Sequence, residues 1–156
     1  MAASFLWQVL KPELIRMRLE SRDKTGIIRE LVGILDTAGL LRDRAEAERV
    51  VLAREQMMST GMEHGVAIPH GKTDTVDGLL VAMALCPEGV DFDCIDRQPA
   101  RILIVTLSPA SRTGPHIRFM AEVSRILRDA DLRDQVLAAK SSGTVVDILL
   151  RAEGTR

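Results

Sequence analysis

The residues with the clearest chemical potential are two histidines and an arginine: His70, His116 and Arg54. Imidazole loses its proton near neutral pH, and its free nitrogen can then act as a nucleophile. A guanidinium group has planar, permanently charged donors that match phosphate oxygens. Together, these three side chains would make an anion pocket that contains a nucleophile, provided that folding brings them to one surface.

His70 follows a short β-branched run over residues 65–68 and lies between Pro69 and Gly71. Proline donates no backbone hydrogen bond, so we expect a strand to end at Pro69 and to leave the imidazole at its exit. Gly71 is expected to let the chain turn tightly beside the ring. The segment alone leaves a second interpretation open, in which His70 is a surface histidine without a function.

Predicted helices place the other two side chains. His116 falls in the first turn of a helix predicted over residues 115–129, where free N–H groups and the helix dipole favour an anion. Arg54 lies late on a helix that ends before the Ser-Thr-Gly sequence at 59–61. The alternatives are that His116 bonds to the loop before its helix, and that Arg54 pairs with Glu55 or an aspartate on a solvated face.

The remaining pattern alternates strands with helices. Alternation of apolar and charged residues predicts a strand over 14–20. Ser21 is a candidate cap for a helix that ends at Ala38-Gly39, and Asp43 with Glu46 forms a candidate capping box for the next helix. Apolar runs predict strands over 79–86, 90–95 and 101–107, and later patterns predict helices over 132–138 and 144–151.

The strand over 101–107 is too apolar to have one face in water. Strands interleaved with helices, around such a central strand, predict an α/β sandwich with helices on both faces. No repeat or linker interrupts the chain, so we predict one domain over residues 1–156, with its core over about 10–150.

The amino-acid composition excludes several classes of function. The chain has 156 residues, 46% hydrophobic and 28% charged, and a net charge of -1 with both signs well mixed. No electrostatic footprint for nucleic acid or anionic lipid is present. Cys86 and Cys94 match no zinc or redox spacing and are expected to be buried thiols. The start of the chain does not read as a signal peptide and no run is long enough to cross a bilayer, so we predict a soluble, cytoplasmic protein.

Gly71-Lys72-Thr73 resembles the end of a nucleotide-binding P-loop. That motif also needs a glycine at position 66, which is Val66 here. Pro69 removes a further backbone donor from the expected phosphate cradle. We therefore reject nucleotide binding.

Residues 59–72 read Ser-Thr-Gly-Met-Glu-His-Gly-Val-Ala-Ile-Pro-His-Gly-Lys. This segment resembles the active-site signature of the IIA components of the fructose/mannitol class of the bacterial phosphotransferase system, which includes the nitrogen-regulatory IIA proteins. Arg54-Glu55 upstream, His116 downstream and the opening residues 10–15 match the family as well. The resemblance covers about residues 10–150 and implies a mixed five-stranded sheet flanked by helices.

The resemblance also implies roles for the site residues. In this family, the histidine that matches His70 takes a phosphoryl group from the phosphocarrier protein HPr and passes it to a IIB domain. The histidine that matches His116 faces it across the pocket, and the arginine that matches Arg54 contacts the phosphoryl oxygens. Positioning and electrostatics carry most of such a transfer, so no cofactor or metal is expected.

Two other functions stay open at this point. The chain is alternatively a regulatory phospho-switch that acts by binding partners, or a family member that keeps the fold without transfer activity. Glu63 and His64 replace smaller or amide residues of the family, and His64 is expected to lie at the rim without chemistry. A methionine surface is a further hypothesis, in which Met57, Met58 and Met62 help to dock HPr and IIB.

Overall fold

The computed structural model describes residues 9–154 of the chain. These residues contain five strands and five α-helices. The chain start, which we predicted not to be a signal peptide, lies outside these residues. The strands are β1 (Ile15–Arg16), β2 (Val66–Ala67), β3 (His70–Lys72), β4 (Leu80–Val90) and β5 (Ala100–Ser108). The helices are α1 (Lys24–Thr37), α2 (Arg44–Met57), α3 (Gly114–Leu127), α4 (Ala130–Ala138) and α5 (Ser142–Gly154).

The strands form one mixed sheet in the order β1-β4-β5-β2, and β3 also pairs with β5. β4 and β5 are antiparallel neighbours, while β1 runs parallel to β4. β2 and β3 follow one another along the free side of β5, and both are parallel to it. This arrangement confirms the predicted mixed five-stranded sheet.

Helices cover both faces of the sheet, as predicted. Successive strand residues point to opposite faces, and Ile102, Leu103, Ile104 and Val105 on β5 are all buried. One helix layer consists of α1 and α2, which pack on each other and against β4 and β3 respectively. The other layer consists of α3, α4 and α5, of which α3 packs on β5.

The region before α1 departs from the prediction. The strand predicted over 14–20 is limited to β1, because a 3-10 turn at Pro12–Leu14 occupies its start. Ser21 does not cap α1, since its backbone N–H donates to Glu30 Oε1 at 2.8 Å. Asp23 caps α1 instead, and its carboxylate accepts from the Gly26 N–H at 3.2 Å.

The other helix ends follow their predicted signals closely. Gly39, beyond α1, has a φ of 77°, which suits a glycine after a helix end. Asp43 caps α2 by accepting from the Glu46 N–H at 3.0 Å. Within residues 9–154, the Glu46 carboxylate makes no return bond to Asp43 and instead accepts from Arg49 at 2.7 Å.

β4 is longer than predicted and extends to the first residue of the next predicted strand. It continues through Pro87 and Gly89 to Val90, which pairs with Ala100 after a register shift. A bulge leaves backbone groups out of the ladder, so a proline there costs no pairing. Of the strand predicted over 90–95, only Val90 is in the sheet.

The C-terminal helices α3, α4 and α5 agree with prediction to within a few residues. Thr113 is the N-cap residue of α3, but its side chain makes no capping hydrogen bond. Cys86 and Cys94 are buried free thiols, as predicted. Within residues 9–154, no helix combines the length and apolarity needed to span a membrane.

Candidate active site

His70 is the first residue of β3 rather than the exit of a finished strand, which corrects the prediction. Pro69 donates nothing, but its carbonyl accepts from the Thr106 N–H at 3.1 Å and keeps the segment on β5. The pairing therefore resumes at once, with His70 opposite Thr106. The imidazole belongs to a paired backbone and not to a loose loop.

Gly71 serves a close approach rather than the tight turn that we predicted. It is an extended residue of β3, and a Cβ atom there would lie 2.7 Å from Val50 Cγ2 and 3.0 Å from Val51 N. A side chain at this position would therefore force α2 and β3 apart. The missing side chain lets α2 lie directly against β3, which brings Arg54, on the next turn of α2, to the His70 side of the strand.

The ring of His70 is oriented by its own backbone. Its Nδ1 lies 2.8 Å from the Ile68 carbonyl oxygen, which can only accept, so Nδ1 carries the proton when the ring is neutral. The lone pair is then on Nε2. Burial lowers the pKa of His70, and the charges of Arg54 and Lys72 lower it further. His70 is therefore half-buried, neutral at pH 7 and nucleophilic at Nε2.

His116 lies across from His70, as the sequence led us to expect. The two ring centroids are 5.0 Å apart and the rings are tilted by 41°. His116 is only 9% exposed, and its Nδ1 lies 3.2 Å from the Thr106 hydroxyl oxygen. Burial, with smaller contributions from His70 and Lys72, lowers the pKa of His116 to about 4. The site thus holds two neutral imidazoles.

Both histidines line a cleft of about 480 Å³, which we call the His70 cleft. Its wall also includes Arg54 and Lys72, so the structure brings all three predicted side chains together. The full lining is Arg49, Val50, Ala53, Arg54, Met57, His70, Gly71, Lys72 and His116.

Arg54 does not pair with Glu55, the alternative that the sequence left open. One of its guanidinium nitrogens, Nη1, donates to the Met58 carbonyl oxygen at 2.8 Å. This bond ties the guanidinium to the end of α2, beside the cleft. The other donors of the fork can then serve an anion.

Glu55 faces the opposite way and anchors the 59–61 segment. Its buried carboxylate accepts from the Thr60 N–H at 3.0 Å and from the Thr60 hydroxyl, and it pairs with Lys24 Nζ at 2.9 Å. The Thr60 carbonyl in turn accepts from the Ile68 N–H at 3.1 Å, and the Ile68 carbonyl holds His70. Hydrogen bonds, linked through the backbones of Thr60 and Ile68, therefore connect Lys24 on α1 to the His70 ring.

The sequence predicted no role for Glu55, Lys24, Lys72 or Thr106. Lys72 lies on the same side of β3 as His70 and adds a further cation to the cleft, beside Arg49 and Arg54. Thr106 offered a signal, because it is a polar residue inside the most apolar strand and such residues need a partner when buried. Lys24 and Glu55 offered none, since their pairing depends on how α1 and α2 pack.

His64 and the methionines separate into two locations. His64 is exposed and, with Met62, lines a different cleft of about 240 Å³, which we call the His64 cleft. Met57 lines the His70 cleft and is 81% exposed, and Met58 beside it is 71% exposed. Met62 packs partly against the core. In residues 9–154, no group of three or more His, Cys, Asp or Glu side chains is placed to hold a metal ion.

Comparison with known families gives a match over residues 8–152 to the model described as "Phosphoenolpyruvate-dependent sugar phosphotransferase system, EIIA 2". A fructose-specific EIIA component of Haloferax volcanii is 39% identical over 137 residues, which cover 88% of this chain and 89% of the relative. The nitrogen regulatory protein of Escherichia coli is 33% identical over 152 residues, covering 96% and 92%. A fructose-specific EIIABC component of Bacillus subtilis is 33% identical, covering 91% of this chain but only 22% of its own length.

Solved structures give the same fold. The crystal structure of nitrogen regulatory protein IIA-Ntr from Neisseria meningitidis superposes with a TM-score of 0.85 at 27% identity, covering 93% of this chain and 99% of that one. The complex of mannitol IIA and phosphorylated mannitol IIB from Escherichia coli matches with a TM-score of 0.76 at 24% identity, covering 90% and 97%.

Proposed function

Because the chain belongs to the EIIA 2 family of the phosphoenolpyruvate-dependent sugar phosphotransferase system, we propose that it carries a phosphoryl group on Nε2 of His70. The observation that carries this proposal is the orientation of the His70 ring, whose Nδ1 is bonded to the Ile68 carbonyl oxygen. Its centroid lies 5.0 Å from that of His116, in a cleft that is also lined by Arg49, Arg54 and Lys72. HPr is the proposed donor and a IIB domain the proposed acceptor.

The transfer step follows from this geometry. The Nε2 lone pair of His70 forms a bond to phosphorus, while the bond from phosphorus to the donor's leaving atom breaks and that atom keeps its electron pair. The transferring group develops charge on its three equatorial oxygens. Arg54 and Lys72 line the cleft and would neutralise that charge, and the first turn of α3 at His116 favours an anion as well. In onward transfer, the bond from phosphorus to Nε2 of His70 breaks, Nε2 keeps the electron pair, and a nucleophilic atom of IIB forms the new bond to phosphorus.

A direct transfer also requires the partner to sit on the rim of the cleft. Met57 lines the cleft and is exposed. Met58 and Ile117 follow the lining residues Met57 and His116 in the chain, and both are exposed apolar side chains, Ile117 at 62%. We propose that this rim docks both HPr and IIB in turn, since methionine repacks easily against different surfaces. Mannitol IIA of Escherichia coli, which has the same fold, forms a complex with phosphorylated mannitol IIB. This complex supports a IIB domain as the acceptor.

A phosphorylation assay tests the proposal. The full chain is incubated with phosphoenolpyruvate, enzyme I and HPr, and intact mass is measured before and after acid treatment. We expect an acid-labile gain of one phosphoryl group in the wild type and in His64→Ala, and no gain in His70→Ala. A gain that survives in His70→Ala would overturn the assignment.

A regulatory phospho-switch is the second candidate, and the nitrogen regulatory relatives favour it. Phosphate on His70 would then add negative charge to the rim and change the affinity of a bound partner. Onward transfer separates the two functions. Rapid loss of the phosphoryl group to a IIB domain supports carriage for sugar uptake, whereas a stable phosphorylated form with altered partner binding supports regulation.

A further inference from the structure

Thr106 connects the two histidines. It is fully buried near the end of β5, and its backbone N–H donates to the Pro69 carbonyl, directly beside His70. Its hydroxyl oxygen lies 3.2 Å from Nδ1 of His116. One residue therefore contacts the backbone that holds the first ring and the nitrogen that orients the second.

Proton counting decides the direction of the second bond. A threonine hydroxyl has one hydrogen to donate, and a neutral imidazole has one protonated and one unprotonated nitrogen. Within residues 9–154, His116 is the only hydrogen-bond partner of the Thr106 hydroxyl. If Nδ1 donated to the hydroxyl, the buried hydroxyl hydrogen would have no acceptor, which is costly. If the hydroxyl donates to Nδ1, both groups are satisfied.

We infer that Thr106 is a positioning residue that fixes neutral His116 with its proton on Nε2, so that His116 donates a hydrogen bond to the phosphoryl group at His70. The two rings then have opposite tautomers, because His70 is protonated on Nδ1 and His116 on Nε2. One ring supplies the lone pair that binds phosphorus, and the other supplies a donor for a phosphoryl oxygen. This role of His116 rests on the proposed function, but its tautomer does not.

The tautomer is measured first, on the unphosphorylated wild type. Long-range ¹H–¹⁵N correlation spectra of the ¹⁵N-labelled chain are recorded about two pH units above the ordinary histidine pKa, where both rings are neutral. We expect His116 to carry its proton on Nε2 and His70 on Nδ1. A proton on Nδ1 of His116 overturns the inference, and no variant is needed to reach that result.

Variants then test whether the Thr106 hydroxyl sets the tautomer of His116 and whether it affects phosphoryl transfer. Thr106→Val keeps the shape but lacks the hydroxyl, and Thr106→Ser keeps the hydroxyl. Ser108→Ala is the matched control, because Ser108 is also buried on β5 and its hydroxyl has no partner among residues 9–154. We expect His116 to become a tautomer mixture in Thr106→Val only, with recovery in Thr106→Ser.

Phosphorylation by phospho-HPr and onward transfer are measured on the same proteins. Losing one well-oriented donor to a charged group lowers the transfer rate about tenfold in Thr106→Val. An unchanged rate in Thr106→Val, or an equal loss in Ser108→Ala, would overturn the inferred role. If the wild type accepts no phosphoryl group, the proposed function fails, while the spectra still decide whether Thr106 sets the tautomer.

Discussion

His64 and His70 belong to one signature and one edge of the sheet, yet their surroundings differ in every respect. The His70 ring is half-buried, bonded to Ile68 and faced by a second imidazole. His64 is exposed, and at its position the backbone N–H bonds to Asp96 at 3.0 Å. It also has a φ of 65°, the left-handed region.

The contrast shows that residue type alone does not make a nucleophile. Three elements form the surroundings of His70: β5 beside it, α2 across Gly71, and the start of α3 with His116. The Ile68 carbonyl, in the link between β2 and β3, then determines which nitrogen of the His70 ring is protonated. His64 precedes β2 and is exposed, so we expect substitutions there to leave the proposed transfer intact.

The largest expected effect is a loss of stability in acid. Burial, aided by His70 and Lys72, lowers the pKa of His116 from 6.5 to about 4. As pH falls below 6.5, the unfolded chain therefore binds a proton before the folded one does. The free energy of unfolding should drop by about 3 kcal/mol between pH 6.5 and 4, with His70 adding in the same direction.

Urea unfolding at a series of pH values measures this drop. His116→Gln should lose clearly less stability over the same interval, because glutamine does not titrate. His64→Gln is the control, since that side chain lies in solvent, and it should follow the wild type. If the free energy of unfolding of His116→Gln fell with pH as much as that of the wild type, His116 would not be the source of the acid destabilisation.

Arg54→Lys should slow phosphoryl acceptance next most strongly, by roughly 30-fold, because lysine keeps the charge but loses the planar fork. Steady-state phosphorylation by phospho-HPr measures the rate. Arg101→Lys is the matched control, as Arg101 is exposed and lines a cleft beside His64. Similar rates for the two variants would remove Arg54 from the site.

Glu55→Gln should cost about 2 kcal/mol of folding free energy, because Lys24 loses its buried partner while Thr60 keeps an acceptor. Lys24 retains Asp93 at 2.9 Å, which limits the loss. Chemical denaturation gives the value. Glu63→Gln, an exposed change next to His64, should stay within about 0.5 kcal/mol. Equal costs would mean that the buried pair does not stabilise the signature.

The smallest effect concerns docking. Met57→Glu should raise KM for phospho-HPr about fivefold, or about 1 kcal/mol, without changing the fold. Ile95→Glu is the control, because Ile95 is 76% exposed but does not line the His70 cleft. Parallel changes in both variants would show that added charge, and not the rim, determines the effect. The structure narrows the methionine hypothesis to Met57 and Met58, since Met62 lies in the His64 cleft.

The sequence predicted correctly those features that depend on neighbouring residues in the chain. The Asp43 cap, the helix end at Gly39 and the doubly buried strand β5 all depend on neighbouring residues or on a plain apolar run. The errors fell where distant groups compete. Ser21 lost its capping role to Asp23 while its own backbone N–H bonds Glu30, and the bulge in β4 let the strand pass Pro87.

The amino-acid sequence by itself determined the family and pointed to His70, His116 and Arg54 as the candidate site, because the signature at residues 59–72 is a contiguous run of residue types that can be recognised without a structure. Tertiary structure alone decided that His70 continues a strand, that Gly71 admits α2, and that Thr106 and Glu55 support the two sides of the site. The physical reason is that a ring's tautomer and pKa depend on burial and on hydrogen-bond partners. Those partners come from strands and helices that meet only when the chain folds.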